Sequence, residues 1–164
     1  MNDVILLIGG NQGNRLLYLN EAIQEIKKRI GVIELRSHIY ETAPWGIQEQ
    51  PPFYNQVLGV QTNLSPKEVM SEILSIEEQM GRKRMEKNGP RIIDIDILYF
   101  GDTIIQEEQL EIPHPRIAER RFVLTPLAEL YPEWIDPIRN LTIKEMLDQC
   151  KDSLSVDKLP PDCA

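Results

Sequence analysis

The chain has 164 residues, 41% of them hydrophobic and 27% charged, with a net charge of -8. That length fits one domain with a real core, and that acidity argues against nucleic acid or a membrane surface as a partner. No apolar run approaches the roughly 20 residues a bilayer span needs, the N-terminus lacks the basic stretch of a signal peptide, and Cys150 and Cys163 suit neither a disulfide framework nor a metal site; the expected setting is a reducing cytoplasm.

Val4 to Ile8 reads as a buried strand ending at the turn Gly9-Gly10-Asn11-Gln12-Gly13. From Asn14, Leu16, Leu19, Ile23, Ile26 and Ile30 recur at helical spacing, and Gly31 is placed to stop the helix. Val32 to Thr42 reads as a second strand with Ile33, Leu35, Ser37 and Ile39 on one face. Residues 43–52 carry too many prolines for a helix or an interior strand and form a long loop, of a length that often serves binding. Phe53 to Thr62 is a third strand.

Ser65-Pro66-Lys67-Glu68 is a helix start: a capping serine, a proline at the first position and a glutamate completing a capping box. Val69, Ile73, Ile76 and Met80 form its buried stripe, and Gly81 ends it. Residues 82–91 are a polar loop, and 92–100 a fourth strand. Thr103 to Ile105 and Leu110 to Ile112 suggest a hairpin, and Phe122 to Leu130 and Ile143 to Leu147 two short helices. The tail from about residue 151 reads as frayed. The order β-α-β-β-α-β with an added hairpin and C-terminal helices predicts a single α+β domain of ferredoxin-like form, an antiparallel sheet with its helices on one face.

The fourth strand carries the chemistry. In Ile93-Asp94-Ile95-Asp96-Ile97 the isoleucines alternate into the core, and the aspartates share the opposite face, left open for ligands. The carboxylates lie roughly 7 Å apart along the strand, close enough to call for a cation between them. Alone, such a pair is usually a solvated strand face. Arg82, Arg84 and Arg91 lie just upstream, and Arg82 and Arg91 adjoin regular elements, where a guanidinium fork can be aimed at phosphate. Carboxylates for a hard cation beside arginines for phosphate are the parts of a phosphoryl-transfer site. No Walker loop or dinucleotide fingerprint is present, and the glycine turn at 9–13 reads as a tight turn only. His114, between Pro113 and Pro115, is either a rigid surface turn or an imidazole aimed at an anion. Phe53, Asn55, Phe122 and Thr42 to Gly46 have ordinary packing or loop explanations.

Together these stretches resemble the 6-hydroxymethyl-7,8-dihydropterin pyrophosphokinase family of folate biosynthesis. The resemblance rests on Ile8-Gly9-Gly10-Asn11, Thr42-Ala43-Pro44-Trp45-Gly46, Phe53-Tyr54-Asn55, Glu77 with Gly81-Arg82-x-Arg84, Gly89-Pro90-Arg91-Ile92-Ile93-Asp94-Ile95-Asp96, and Pro113-His114-Pro115 followed by Arg120 and Phe122. It implies transfer of diphosphate from ATP to the pterin's hydroxymethyl oxygen. Asp94 and Asp96 would hold two Mg²⁺ ions, and Asp96 could take the proton. Arg82 and Arg91 would stabilise charge on the phosphates. Arg84, His114 and Arg120 would hold ATP, and Glu77 would shape the nucleotide site. Phe53 and Phe122 would sandwich the pterin, with Thr42, Asn55 and the backbone of Ala43, Pro44 and Trp45 reading its edge. The partners implied are small molecules, with no nucleic acid or membrane, and the chain is expected to be a monomer. The chain departs from many members at Gly10, Ala43, Trp45, Lys87 and Asn88. A non-catalytic nucleotide-binding or sensor domain of the same topology is the main alternative. It leaves the aspartates and arginines without a purpose. An RNA-recognition module and a two-metal nuclease would both need a more basic surface.

Overall fold

The structure, a computed structural model, describes residues 1–44, 49–81 and 92–160. The expectations for Trp45, for Arg82, Arg84 and Arg91, and for the loop 82–91 lie outside the described residues.

Strand β1 (Asn2–Gly10) runs into the glycine turn, and Asn14 caps α1 (Arg15–Arg29) by accepting from the Leu17 N–H at 3.1 Å. The helix ends at Ile30, one residue before the predicted stop. Gly31 instead opens β2 (Gly31–Arg36), where a Cβ would lie 2.0 Å from the Gln61 carbonyl oxygen. The predicted strand 32–42 is broken: β2 and β3 (Tyr40–Thr42) both pair with β4 (Phe53–Thr62). At the break Ser37 takes over the pairing. Its N–H donates to the Val57 carbonyl, its Oγ accepts from the Val57 N–H, and its carbonyl accepts from Gln56 Nε2, each at 2.9 Å. A register shift between Ile33 and Leu35 also leaves Leu35 exposed, so the expected apolar face is not continuous.

Helix α2 (Pro66–Gln79) begins with the predicted capping box: Ser65 N–H donates to Glu68 Oε1 at 2.9 Å and Glu68 N–H to Ser65 Oγ at 3.2 Å. It stops at Gly81, whose φ of 82° is the left-handed conformation glycine adopts without strain. Strand β5 (Asp94–Phe100) is followed by a hairpin of β6 (Ile105–Glu107) and β7 (Leu110–Ile112), then α3 (Arg121–Leu130), α4 (Ile143–Gln149) and β8 (Val156–Lys158). The main sheet runs β5-β1-β4-β3-β8, with β2 on the same side of β4 as β3, and every pair is antiparallel. This is the ferredoxin-like arrangement.

One core lies between α1, α2 and the sheet. Leu6, Ile8, Leu58, Ile93, Ile95 and Ile97 meet Leu19, Ile23, Ile26, Val69, Ile73 and Ile76, so the isoleucines of β5 face the helices as expected. The expectation of an open opposite face needs correction. Val123, Leu124 and Leu127 of α3, with Ile143 and Met146 of α4, cover Ile5, Leu7, Val57, Leu98 and Tyr99 in a second core. A bulge in β5 serves this face: Leu6 pairs with Ile97 but Ile5 with Tyr99, so Leu98 and Tyr99 both turn toward α3 and α4. Asp136, fully buried between these helices, accepts from Tyr99 Oη at 2.6 Å, from the N–H groups of Ile138 and Arg139 at 2.8 and 2.9 Å, and from Arg139 Nη1 at 3.2 Å. Burial pushes its carboxyl up, but these donors outweigh that and hold it below the usual range.

The expected frayed tail is corrected in part as well. Val156–Lys158 pair with Thr42–Tyr40 at the sheet edge. Among the described residues, no helix is long and apolar enough to cross a membrane.

Candidate active site

The second layer of helices leaves a pocket at one end of the sheet. Asp94 and Asp96 of β5, Leu7 and Gly9 of β1, Phe53 and Asn55 of β4, Thr42 and Ala43 at the end of β3, and Arg120 and Phe122 at the start of α3 line it. Eight of these residues, predicted from four separate stretches, thus meet in one cleft, and the pleat explains the aspartates. With Ile93, Ile95 and Ile97 at most 3% exposed in the first core, Asp94 and Asp96 must emerge on the other side.

Gly9 is the centre of the floor. It pairs with Asn55 on one side and Asp94 on the other. A Cβ there would sit 2.1 Å from Asn55 Oδ1, so the asparagine lies across the flat backbone that only glycine provides. Asn55 is 5% exposed and its Nδ2 donates to Thr42 Oγ1 at 2.7 Å. That bond leaves the Thr42 hydroxyl hydrogen and Asn55 Oδ1 as a donor and an acceptor side by side. Phe53 and Phe122 add aromatic surface, and the Arg120 guanidinium lies 5.7 Å from the Phe122 ring centre. One end of the cleft therefore suits a flat, hydrogen-bonding ring and the other suits charge.

The ends are held from behind. Glu77 of α2 is 5% exposed and accepts the Ile95 N–H at 2.8 Å through Oε2, which fixes the strand between the two aspartates. It does not line the cleft itself. His114 is anchored at both ends. Its N–H donates to the Leu98 carbonyl at 3.1 Å, and its Nδ1 accepts the Arg116 N–H at 3.2 Å, so the imidazole proton resides on Nε2. Burial, then the positive charge of Arg120, pushes its pKa down to about 4 despite the opposing pull of Asp94. At neutral pH it is a neutral donor close to that pair of residues. Burial likewise lowers Arg120, with Asp96 pulling the other way.

The glycine turn contributes through its side chains. Asn11 Nδ2 donates to Gln50 Oε1 and to the Pro51 carbonyl, both at 2.9 Å, and Arg15 Nη1 donates to Glu41 Oε2 and the Pro52 carbonyl, both at 2.9 Å. The Arg15 guanidinium also covers the Tyr54 ring at 3.8 Å. These contacts fix the limb that enters β4 just before Phe53. Ala43 donates its N–H to the Ser155 carbonyl at 3.0 Å, leaving only its carbonyl and methyl for a ligand. Pro44 is buried but outside the lining. Leu7 and Gly9 are lining residues that sequence reasoning missed. The available signal was a glycine closing an apolar strand in register with the acidic one.

Among the described residues no three potential ligands cluster to hold a metal ion. The donor set still fits Mg²⁺, a hard cation commonly held by one or two carboxylates while substrate phosphates and water complete its shell.

A family model described as 7,8-dihydro-6-hydroxymethylpterin-pyrophosphokinase matches residues 5–132. The chain is 40% identical over 145 residues to the 2-amino-4-hydroxy-6-hydroxymethyldihydropteridine pyrophosphokinase of Aquifex aeolicus, covering 88% of this chain and 90% of that protein. It is 39% identical over 150 residues to the folic acid synthesis protein fol1 of Pneumocystis carinii, covering 91% of this chain but only 20% of that longer protein. The structure of Plasmodium falciparum HPPK-DHPS superposes with a TM-score of 0.75 at 22% identity, over 91% of this chain and 43% of that one. That likeness shows the shared fold.

Proposed function

Because the chain belongs to the 7,8-dihydro-6-hydroxymethylpterin-pyrophosphokinase family, we propose that its cleft transfers diphosphate from ATP to the hydroxymethyl oxygen of 6-hydroxymethyl-7,8-dihydropterin. The single observation that carries the reading is the convergence, in one pocket, of a ring-reading end at Thr42 and Asn55 and a paired carboxylate end at Asp94 and Asp96. Phe53 and Phe122 stack on the ring, and Thr42 and Asn55 match its pyrimidine edge donor for acceptor. The hydroxymethyl oxygen attacks the β-phosphorus of ATP. The bond from that phosphorus to the oxygen bridging the α-phosphate breaks, and AMP leaves with the electron pair. Asp96 accepts the hydroxyl proton, and the product is the pterin diphosphate.

Asp94 and Asp96 would hold Mg²⁺, two ions in this reading, which when bound offsets phosphate charge and makes the hydroxyl more acidic. Arg82 and Arg91 stabilise charge developing on the phosphates, and Arg84, His114 and Arg120 hold the nucleotide. The neutral Nε2–H of His114 suits a phosphate oxygen. Glu77 supports the nucleotide side through β5. The chain acts as one domain, a monomer in a reducing cytoplasm.

The decisive test combines protein, ATP, Mg²⁺ and the reduced hydroxymethylpterin and measures AMP. AMP formation that needs both pterin and Mg²⁺ is expected. Asp94→Asn or Asp96→Asn should reduce it by about 100-fold or more while the melting temperature holds. ATP binding without turnover in the wild-type protein would instead mark a nucleotide sensor.

A further inference from the structure

The C-terminal segment lies beyond the residues the family model matches, yet it bonds to both walls of the cleft. On the β3 side, Val156 pairs with Thr42, the Ser155 carbonyl accepts the Ala43 N–H at 3.0 Å, and the Leu159 N–H donates to the Ile39 carbonyl at 2.9 Å. On the α3 side, Arg120 occupies the N-cap position but supplies no capping bond of its own. Asp152 does so from a distance in sequence: Oδ2 accepts the Arg121 N–H at 3.1 Å while Oδ1 accepts the Leu154 N–H at 3.0 Å. Asp152 therefore closes its own short turn and, with the same carboxylate, ties off the first turn of α3, where a negative charge also complements the helix dipole. That turn carries Arg120 and Phe122.

The logic of the arrangement is spatial. Thr42 and Ala43 sit at the outer end of a three-residue strand, next to residues that begin a loop. Phe122 sits in the first turn of a helix, the part most prone to fray. Neither wall is held in place by its own element alone. Three residues separate Asp152 from Val156, so one short strap restrains both walls together. The main cores do not depend on it: of the segment, only Leu159 packs against the first core, and the second core draws on nothing past Cys150.

We infer that Asp152–Leu159 is a positioning element for the pterin end of the cleft, fixing the gap between the β3 edge and Phe122. This rests on the assignment of that end to the pterin. Deleting residues 152–164 should raise the pterin dissociation constant by about tenfold or more, measured by calorimetry. The ATP constant should change by less than about threefold, since of the described residues assigned to ATP the strap borders only Arg120, at the N-cap of α3, and bonds to neither the aspartates nor His114. Pterin affinity within about twofold of the full chain, or equal weakening of both ligands, would overturn the inference.

Asp152→Ala, in the full chain, decides the matter if the deletion fails to fold. It removes the Arg121 bond, leaves β8 in place, and should weaken pterin about threefold to tenfold; an unchanged constant overturns the inference. Asp152→Asn, whose single oxygen can accept only one of the two N–H groups the carboxylate bridges, should recover only part of that loss. Ile26→Val in α1 serves as a control that lowers the melting temperature without moving pterin affinity. Asn55→Ala separates the two layers of argument. If Asn55→Ala loses pterin and the strap variants do not, only the strap's role falls; if Asn55→Ala binds normally, the pterin assignment itself falls.

Discussion

Replacing Gly9 by alanine adds one methyl group to the floor of the cleft, and the structure sets its consequence. The new Cβ would lie 2.1 Å from Asn55 Oδ1, 3.1 Å from Asn55 Cγ and 3.0 Å from the Tyr54 carbonyl oxygen. The Tyr54 carbonyl is backbone in a paired strand and cannot retreat, so the asparagine side chain must. Moving it breaks its bond to Thr42 Oγ1, a loss of about 1 kcal/mol, and residual overpacking adds about 1–3 kcal/mol. Alanine in a strand returns about 0.5–1 kcal/mol relative to glycine. The net is a destabilisation of about 1–3 kcal/mol, or about 3–10 °C in melting temperature for a chain of this size. Pterin binding should suffer more, because the displaced amide no longer meets the ring edge and leaves polar groups unmatched; about 10–100-fold weaker affinity is expected. Calorimetric titration of the pterin into Gly9→Ala, Asn55→Ala and the double variant tests the route. If the methyl acts through Asn55, the double variant binds no worse than Asn55→Ala. Additive losses, or a Gly9→Ala protein with wild-type affinity, would refute the reasoning.

Other outcomes follow from the same geometry. Glu129 of α3 accepts the His38 N–H with both oxygens, at 3.1 and 3.2 Å, His38 Nδ1 at 2.9 Å and Tyr40 Oη at 2.7 Å. Burial pushes its carboxyl up, but these bonds outweigh it and hold the pKa below the ordinary 4.5. Its stabilisation is therefore present above that value and lost as the pH falls through the lower folded pKa. Glu129→Gln should be less stable than wild type at pH 7, with the gap in melting temperature closing in acid; a gap independent of pH would contradict this. Asp136→Ala strands Tyr99 and Arg139 without their buried acceptor and should cost about 3–5 kcal/mol, read from urea unfolding. Ser65→Ala removes the serine half of a complete capping box and should cost about 1 kcal/mol without altering turnover.

Much of this architecture was legible because local signals agreed with one another. Leu19, Ile23 and Ile26 could only form a helical stripe, Ser65 to Glu68 announced its own helix, and the Ile-Asp alternation fixed which way both carboxylates point. Most of what escaped had no local signal. Val156–Lys158 is polar and three residues long, and it is a strand because β3 offers it an edge. The interruption at Ser37 arises from one hydroxyl replacing a backbone partner, inside an alternation that reads as continuous. In Ile97-Leu98-Tyr99-Phe100 every residue is apolar and buried, so no polar residue reports that the bulge has changed which face each one occupies. The closed second face could have been anticipated: Val123, Leu124, Leu127, Ile143 and Met146 are more apolar surface than two solvent-facing helices would carry. Gly9 was visible as a turn signal and hidden as a floor, since what it accommodates lies on another strand.

Asn55, Gly9 and Asp94 stand in one row across β4, β1 and β5. Strands in a sheet are about 4.8 Å apart, so the row spans about 10 Å from the amide to the first carboxylate. Backbone hydrogen bonds set that interval, and no exchange of side chains can stretch it. The sheet thus acts as a gauge of molecular length. Mutation can change the chemistry at either mark, but a substrate whose reacting oxygen lies nearer to or farther from its hydrogen-bonding edge would miss one mark whenever it met the other.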